Sequence, residues 1–292
     1  MKVAVVGATG FIGSAVVEQL EERELEVIGI SRSRRQYKGA IKGNVSSHLG
    51  LDIGKAEEGV YDYIGRPELL IHLAWEGLSD YKSLHHIEVE LPRQYYFLKR
   101  LIQEGLKHLT VVGTCFEYGK QYGSLHEGLP TVPCTSYGLA KDTLRKALEL
   151  LKNEYAFSLT WLRLFYVYGE GQARSSLYSQ LKKAAESGLE VFNMSGGDQL
   201  RDFLPVERAA HYIAEIALMK GDFGVVNVCS GEPVSVRSVV ERWIREKGWN
   251  IRLNLGYYPY NEYEPMAFWG STRKLQRILK EGVQWEPKSD RG

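Results

Sequence analysis

Cysteine, proline and methionine are scarce in this chain of 292 residues, at 3, 9 and 4 respectively. The three cysteines, Cys115, Cys134 and Cys229, are odd in number, widely spaced and without a paired C-x-x-C. They offer neither a disulfide framework nor a structural zinc site, and they read as reduced thiols in a cytoplasm. Net charge is missing as well. Lys plus Arg (37) against Asp plus Glu (36) gives +1, so no global field draws nucleic acid or an acidic membrane, and any polyanion must be met by a local site. No apolar run approaches the roughly 18 residues of a membrane span, and the Met-Lys start followed by a short Val-rich run has no secretory h-region. The expectation is a cytoplasmic protein with no nucleic-acid and no membrane partner.

The chain has 44% hydrophobic residues, 25% charged and 30 Gly, enough to bury a large core. Short β-branched runs at Val3 to Val6, Glu26 to Ile30, Leu69 to Leu73, Leu109 to Val112 and Leu159 to Leu164 read as buried strands. Between them, Ile12 to Arg23, Tyr81 to Gly105 and Tyr137 to Tyr155 carry apolar residues at helical spacing. Alternation of this kind implies βαβ crossovers, hence an α/β doubly wound parallel sheet. After Gly169 the pattern breaks into short helices and aromatic-rich stretches, which suits a smaller α/β substrate-binding lobe. The expected division is residues 1–168 as the dinucleotide-binding domain, with 203–226 returning to it, and 169–202 plus 227–292 as the lobe.

Gly7-Ala-Thr-Gly10-Phe-Ile-Gly13 joins the first strand to the first helix. Its glycines permit a tight turn, close approach of backbone to a pyrophosphate and tight helix–strand packing, with the N–H groups of the helix start facing the anion. Gly7, Thr9, Gly10, Phe11, Ile12 and Gly13 are therefore expected to hold a dinucleotide. The second strand ends in Ile30-Ser31-Arg32-Ser33-Arg34-Arg35, without the carboxylate that would bind a ribose diol. Ser31, Arg32 and Arg34 instead suit a 2′-phosphate and favour NADP(H); an exposed basic turn is the plainer alternative. Asp52 is placed to accept from the adenine amino group, next to Ile53. Leu73, Ala74 and Trp75 at the end of the fourth strand, and Leu164 further on, are expected to lie against the cofactor. His72 reads as structural.

Tyr137-Gly-Leu-Ala-Lys141 puts a phenol and an ammonium on one helix face. Bringing a phenol to neutral pH takes a fall of about 3 units, and a neighbouring cation has the sign to supply it. Thr114, directly after the fifth strand, offers a hydroxyl to an oxygen that gains charge as hydride arrives.

With the opening glycines, His72-Leu-Ala74, Thr114 four residues before Tyr118-Gly119, Tyr137/Lys141, Arg163-Leu-Phe-Tyr-Val-Tyr-Gly169, Arg201-Asp-Phe-Leu-Pro-Val206 and Asn227-Val-Cys-Ser-Gly-Glu232, the chain resembles an extended short-chain dehydrogenase/reductase of the NAD-dependent epimerase/dehydratase type. The resemblance spans nearly the whole chain and implies a Rossmann fold, a nucleotide-diphosphate sugar as substrate, and Thr114, Tyr137 and Lys141 as the catalytic set, with Lys141 also holding the nicotinamide ribose. By the same analogy Arg201 contacts the substrate's diphosphate, Cys115, Phe116 and Tyr166 face the sugar, and the helices at 81–105 and 137–155 form a homodimer interface.

Departures from the family pattern narrow the reaction. Cys115-Phe116 stand where its dehydratases carry Asp-Glu, and Cys115 is one residue past the hydroxyl rather than two, as in its 3,5-epimerising reductases. Tyr166 replaces the usual Asn. What remains is hydride transfer, read as NADPH-dependent reduction of a nucleotide-linked 4-keto-6-deoxy sugar. The alternatives are a nucleotide-sugar 4-epimerase with tightly held NAD and a non-catalytic NADP-binding regulator. The aromatic stretch Tyr257 to Tyr263, with Phe268 and Trp269, suits either base stacking or the lobe's own core.

Overall fold

Strands that are apolar on both faces have to be covered on both, and the order in which they pair decides where a ligand fits. The computed structural model describes residues 1–23, 25–32 and 47–283. In chain order the first elements are β1 (Lys2–Val6), α1 (Phe11–Glu21), β2 (Glu26–Ser31), β3 (Ser47–Gly50), α2 (Val60–Tyr63), β4 (Leu69–His72), α3 (Leu91–Gln103), β5 (His108–Thr114), β6 (Gly123–Leu125), α4 (Ser136–Leu151) and β7 (Ser158–Leu164). They are followed by β8 (Tyr166–Tyr168), α5 (Leu177–Glu186), β9 (Val191–Asn193), β10 (Leu200–Pro205), α6 (Val206–Leu218), β11 (Gly224–Val228), β12 (Pro233–Ser235), α7 (Val236–Lys247), β13 (Arg252–Asn254), β14 (Phe268–Gly270) and α8 (Arg273–Val283).

The main sheet runs β3-β2-β1-β4-β5-β7-β11, parallel throughout. The winding reverses between β1 and β4, and in a doubly wound sheet the crevice outside the carboxyl ends at that point is where ligands bind. On one face the core is built from Val3, Val5, Val17, Ile71, Leu162 and Val226 with Ile213 and Ala217 of α6. On the other, Ala4, Val6, Leu70, Val111 and the fully buried Trp161 pack against Phe97, Leu101, Leu144 and Leu148 of α3 and α4.

Beyond the main sheet, β8, β10 and β12 form a small sheet, and α5 and α7 close over Tyr178, Phe192, Val240 and Trp243. One part of the chain falls elsewhere than the sequence reading places it. The end of the described chain, expected in the smaller lobe, returns to the main sheet: Leu275 and Ile278 of α8 join the core of α1 and α6, and Lys274 Nζ donates to the carbonyls of Phe223 and Val225 at 2.7 and 2.5 Å. β10 crosses the expected boundary between 202 and 203, with Leu200, Arg201 and Asp202 paired to β12 and Phe203, Leu204 and Pro205 paired to β8.

A second difference bears on the site. The helix expected from Tyr81 starts only at the π-helical turn His86–Glu90. Asp80 Oδ1 accepts from Lys82 N and Ser83 Oγ from His85 N, at 3.0 and 3.3 Å. Local side-chain bonds of this kind offer the backbone an alternative to helix. The carbonyl of Tyr81 is left to accept from Tyr137 N at 3.0 Å. Among the described residues, no helix is long and apolar enough to cross a membrane.

Candidate active site

A cleft of about 610 Å³ opens over the carboxyl edge of β1, β2, β4 and β5. Gly7 has φ +88°, a left-handed conformation that favours glycine, and a Cβ there would stand 2.9 Å from Ala74 N. A Cβ on Gly13 would stand 2.0 Å from the carbonyl oxygen of Gly7. The β1–α1 turn is thus a bare backbone cradle at a helix start, which fits the pyrophosphate of a dinucleotide. Thr9, Gly10, Phe11, Ile12, Ser31, Arg32, Ile53, Leu73, Ala74, Trp75, Tyr137 and Leu164 line the same cleft with Gly7 and Gly13. At its other end stand Thr114, Cys115, Phe116 and Tyr166, joined by Tyr81, which the sequence reading had taken as helical.

Helix α4 brings Tyr137 to the edge of β5. Thr135 caps the helix by accepting from Gly138 N at 3.1 Å. The Tyr137 ring stacks on Tyr81 at 5.3 Å and meets His86, Trp75 and Phe116 at 5.3, 6.0 and 6.3 Å. Burial pushes its phenol well above the ordinary value, with Tyr81 and Glu117 adding to the rise and the Thr114 hydroxyl opposing it. These surroundings act in the opposite direction to the fall that a neighbouring cation is expected to supply.

Lys141, one turn on, does not line the cleft. Its Nζ donates to the carbonyl of Val112 at 2.8 Å and sits 4.1 Å from the centre of the Trp75 ring, a cation–π arrangement. Trp75 is itself fixed, since its Nε1 donates to His86 Nδ1 at 3.0 Å and His86 Nε2 donates to the carbonyl of Asp80 at 2.9 Å. Burial lowers Lys141 to about 7, against the opposing pull of Glu117 and Glu90. His72 is wholly buried, lowered to about 3 chiefly by desolvation, and joined through Nε2 to Gln94 at 2.6 Å. It is neutral and structural.

Glu117 was passed over in the sequence, although Thr114-x-x-Glu117 has the spacing of a capping box. That box forms: Thr114 Oγ1 accepts from Phe116 N at 3.3 Å and Glu117 Oε1 from Thr114 N at 2.9 Å. The same carboxylate accepts from Trp161 Nε1 at 2.9 Å and from Arg163 Nε at 2.6 Å. Arg163 also lies 4.4 Å from the centre of the Tyr118 ring. A Cβ on Gly113 would come within 2.4 Å of Glu117 Oε1 and 2.1 Å of Trp161 Nε1, so the glycine of Gly-Thr-Cys-Phe-Glu makes room for the buried carboxylate.

Toward the smaller lobe the walls are aromatic. Phe116 meets Tyr81, Tyr166 and Tyr263 at 4.9, 6.4 and 6.3 Å. The Cys115 thiol is raised by burial and so is no thiolate. Arg201, expected on a diphosphate, is 3% exposed and does not line the cleft. Its Nε and Nη2 donate to Glu264 Oε2 at 3.1 and 2.8 Å, and that oxygen also accepts from Tyr166 at 2.8 Å. Glu264 lies in a part of the chain with no motif to mark it. Of the long aromatic stretch, Phe268 is buried with Phe165 and Leu125, whereas Tyr257, Tyr258 and Tyr260 are exposed.

At the adenosine end, Asp52 is held through one of its two carboxylate oxygens. Its Oδ1 accepts from Gly54 N at 3.1 Å and from Arg93 Nη2 at 2.5 Å, and it does not line the cleft. Arg93 and Glu76 do, and no local pattern announced either. Arg32 pairs with Glu76 at 3.0 Å. Arg34 lies outside the described residues.

A parallel sheet with a glycine cradle at its switch point, and a threonine, a tyrosine and a lysine gathered at the next strand ends, defines a dinucleotide-binding α/β protein. Residues 3–229 match the NAD dependent epimerase/dehydratase family, and the chain belongs to it. It is 29% identical over 272 residues to the dTDP-6-deoxy-L-talose 4-dehydrogenase (NAD(+)) of Aggregatibacter actinomycetemcomitans, covering 93% of this chain and 100% of that protein. It is 21% identical over 259 residues to the dTDP-4-dehydro-6-deoxyglucose reductase of Escherichia coli, covering 82% and 79%. Its fold is similar to that of a UDP-glucose-4-epimerase from Stenotrophomonas maltophila solved with bound NAD and formylated UDP-arabinopyranose, with a TM-score of 0.84 at 18% identity over 96% of this chain and 92% of that one.

Proposed function

We propose that the protein reduces the keto group at C4 of a nucleotide-linked 4-keto-6-deoxyhexose to a hydroxyl, with NADPH as the hydride donor. One observation carries the reading: among the described residues lining the cleft, Glu76 is the one carboxylate, and it is bound to Arg32 and Arg93. Elimination of water or inversion at C5 needs an acid and a base at the sugar, and Cys115 and Phe116 supply neither. Hydride transfer needs only a proton donor and an oxyanion partner. A reduced nicotinamide dinucleotide held in the Gly7 to Gly13 cradle would supply the hydride for C4. Tyr137 gives its phenolic proton to the C4 oxygen, and Thr114 Oγ1 donates a hydrogen bond to that oxygen as its charge grows. A phenol that keeps its proton suits reduction. The Lys141 ammonium, one helical turn on and against the Trp75 ring, offsets the negative charge left on the phenol.

Two relatives whose names place their chemistry at C4 of dTDP-6-deoxy sugars support this substrate class. The aromatic wall of Tyr81, Phe116 and Tyr166 suits a sugar that carries a methyl in place of a hydroxymethyl. The end of β2, which is followed by Arg32 and supplies no carboxylate, supports NADPH. The protein assembles as a homodimer through α3 and α4, whose Tyr96, Leu139 and Leu150 are exposed; light scattering at twice the chain mass tests this.

The reading is tested by following NADPH absorbance with dTDP-, CDP- and GDP-linked 4-keto-6-deoxyhexoses, using Tyr137→Phe as control. One panel member drains NADPH, and the variant loses about 10²–10⁴-fold in rate. The structural similarity to a 4-epimerase favours a second reading, which wins if no keto sugar consumes NADPH while a UDP-hexose is inverted without added cofactor.

A further inference from the structure

Two guanidinium groups from distant parts of the chain meet at one carboxylate in the cofactor cleft. Arg32 follows β2, Arg93 lies in the first turn of α3, and Glu76 stands on the loop after β4. Glu76 Oε1 accepts from Arg32 Nη1 and from Arg93 Nη1, both at 3.0 Å. An anionic oxygen bridging two guanidinium forks is the arrangement a phosphate oxygen takes. The members are not held equally. Arg93 is anchored from behind, with Nη2 on Asp52 at 2.5 Å and Nη1 on the wholly buried Glu90 at 3.3 Å. Glu90 in turn accepts from Gln94 Nε2 and Glu76 N at 2.8 and 3.1 Å. Arg32 is 60% exposed and the Glu76 side chain 34%, so their pair is readily exchanged. Glu76, Glu90 and His85 lie close enough together to suggest a cation site, but Glu76 Oε1 and Glu90 Oε1 are already engaged by the guanidinium groups, so the cluster carries no metal proposal.

We propose that Arg32 and Arg93 form a clamp for the 2′-phosphate of an adenine dinucleotide, and that Glu76 occupies it as an internal competitor that limits this chain's preference for NADP(H) over NAD(H). The proposal rests on the cofactor reading above and refines it. A doubly charged 2′-phosphate must displace the Glu76 carboxylate from both arginines and then lie beside it. An unphosphorylated ribose makes no claim on the clamp and leaves the bridge in place. The basic end of β2, read alone, therefore overstates the preference, because the opposing carboxylate arrives from a different strand.

The test is calorimetric titration of the wild type, Glu76→Gln and Arg93→Gln with NADPH and NADH, and with adenosine 2′,5′-bisphosphate and 5′-AMP as fragments that report on binding without turnover. Glu76→Gln should tighten NADPH and the bisphosphate about ten-fold, as expected for removing a charged competitor, while NADH and AMP stay within about two-fold. Arg93→Gln should weaken NADPH and the bisphosphate selectively. Should Arg93→Gln fail to fold, Glu76→Gln carries the test alone. An unchanged ratio of NADPH to NADH affinity in Glu76→Gln overturns the proposal. So does weakened NADH, since Glu76 would then be a ligand of the ribose diol. A wild type that binds no dinucleotide sinks the functional reading as well, whereas a flat ratio in a protein that binds both sinks only the clamp.

Discussion

Two arginine–glutamate pairs, Arg163–Glu117 and Arg32–Glu76, flank the cleft and differ mainly in their access to water. The Arg163–Glu117 side chains are 2% and 0% exposed, and those of Arg32–Glu76 are 60% and 34%. The buried pair is satisfied on several sides and holds the Thr114 turn in place. The exposed pair has a weak hold, and on the proposal above it yields to a 2′-phosphate. The same two residue types thus make a fixture where desolvation forbids separation, and an exchangeable contact where water can replace either partner.

The comparison breaks most visibly at the buried pair. Arg163→Met leaves the Glu117 carboxylate buried without its cation and is expected to lower unfolding stability by about 3–5 kcal/mol, read by urea denaturation. If Arg163→Met melts like the wild type, Glu117 is not the fixture described. Glu117→Gln keeps the bond to Thr114 N within reach but removes the charge. It should cost activity while NADPH affinity holds, and a loss of cofactor affinity equal to the loss of rate would count against a role in placing Thr114.

An intermediate effect concerns Lys141. Its folded value of about 7 lies below the ordinary value of 10.5 for a lysine. Between those two pH values the unfolded chain carries a proton that the folded chain lacks, so this group makes stability rise with pH across that window. On the proposed mechanism activity should run the other way, with kcat/KM falling as pH climbs through about 7 and the Lys141 ammonium is lost. Trp75→Leu removes the aromatic face over the ammonium, worth about 0.5–2 kcal/mol, and should move that limb to lower pH. A limb that stays in place would show that Trp75 does not hold the charge. The smallest effect belongs to the exposed pair: Arg32→Ala should change stability by no more than about 1 kcal/mol, while weakening NADPH more than NADH in direct titration.

Much of the fold was legible because its signals are local. Strands buried on both faces read as short β-branched runs, the Gly7 to Gly13 turn sits at the junction it requires, and Tyr137 and Lys141 share a helix face whatever surrounds them. What escaped was set by partners far along the chain. The turn at Tyr81 is held out of the helix by Asp80 and Ser83 and linked to Tyr137. Arg201 is claimed by Glu264, more than sixty residues on. The tie of Asp52 to Arg93 comes from α3, about forty residues further along. Glu117 lay between the two cases, since its capping-box spacing was readable but its bonds to Trp161 and Arg163 come from β7 and could not be read from the turn alone.

The most direct measurement uses NADPH carrying deuterium on the transferable face of nicotinamide C4, incubated with the accepted 4-keto-6-deoxy sugar nucleotide and analysed by mass spectrometry and NMR. The account predicts a single deuterium at C4 of the product, delivered from the cofactor, and no carbon-bound deuterium when unlabelled NADPH is used in D2O. Solvent deuterium at C5, or a sugar altered without taking label from the cofactor, would contradict it.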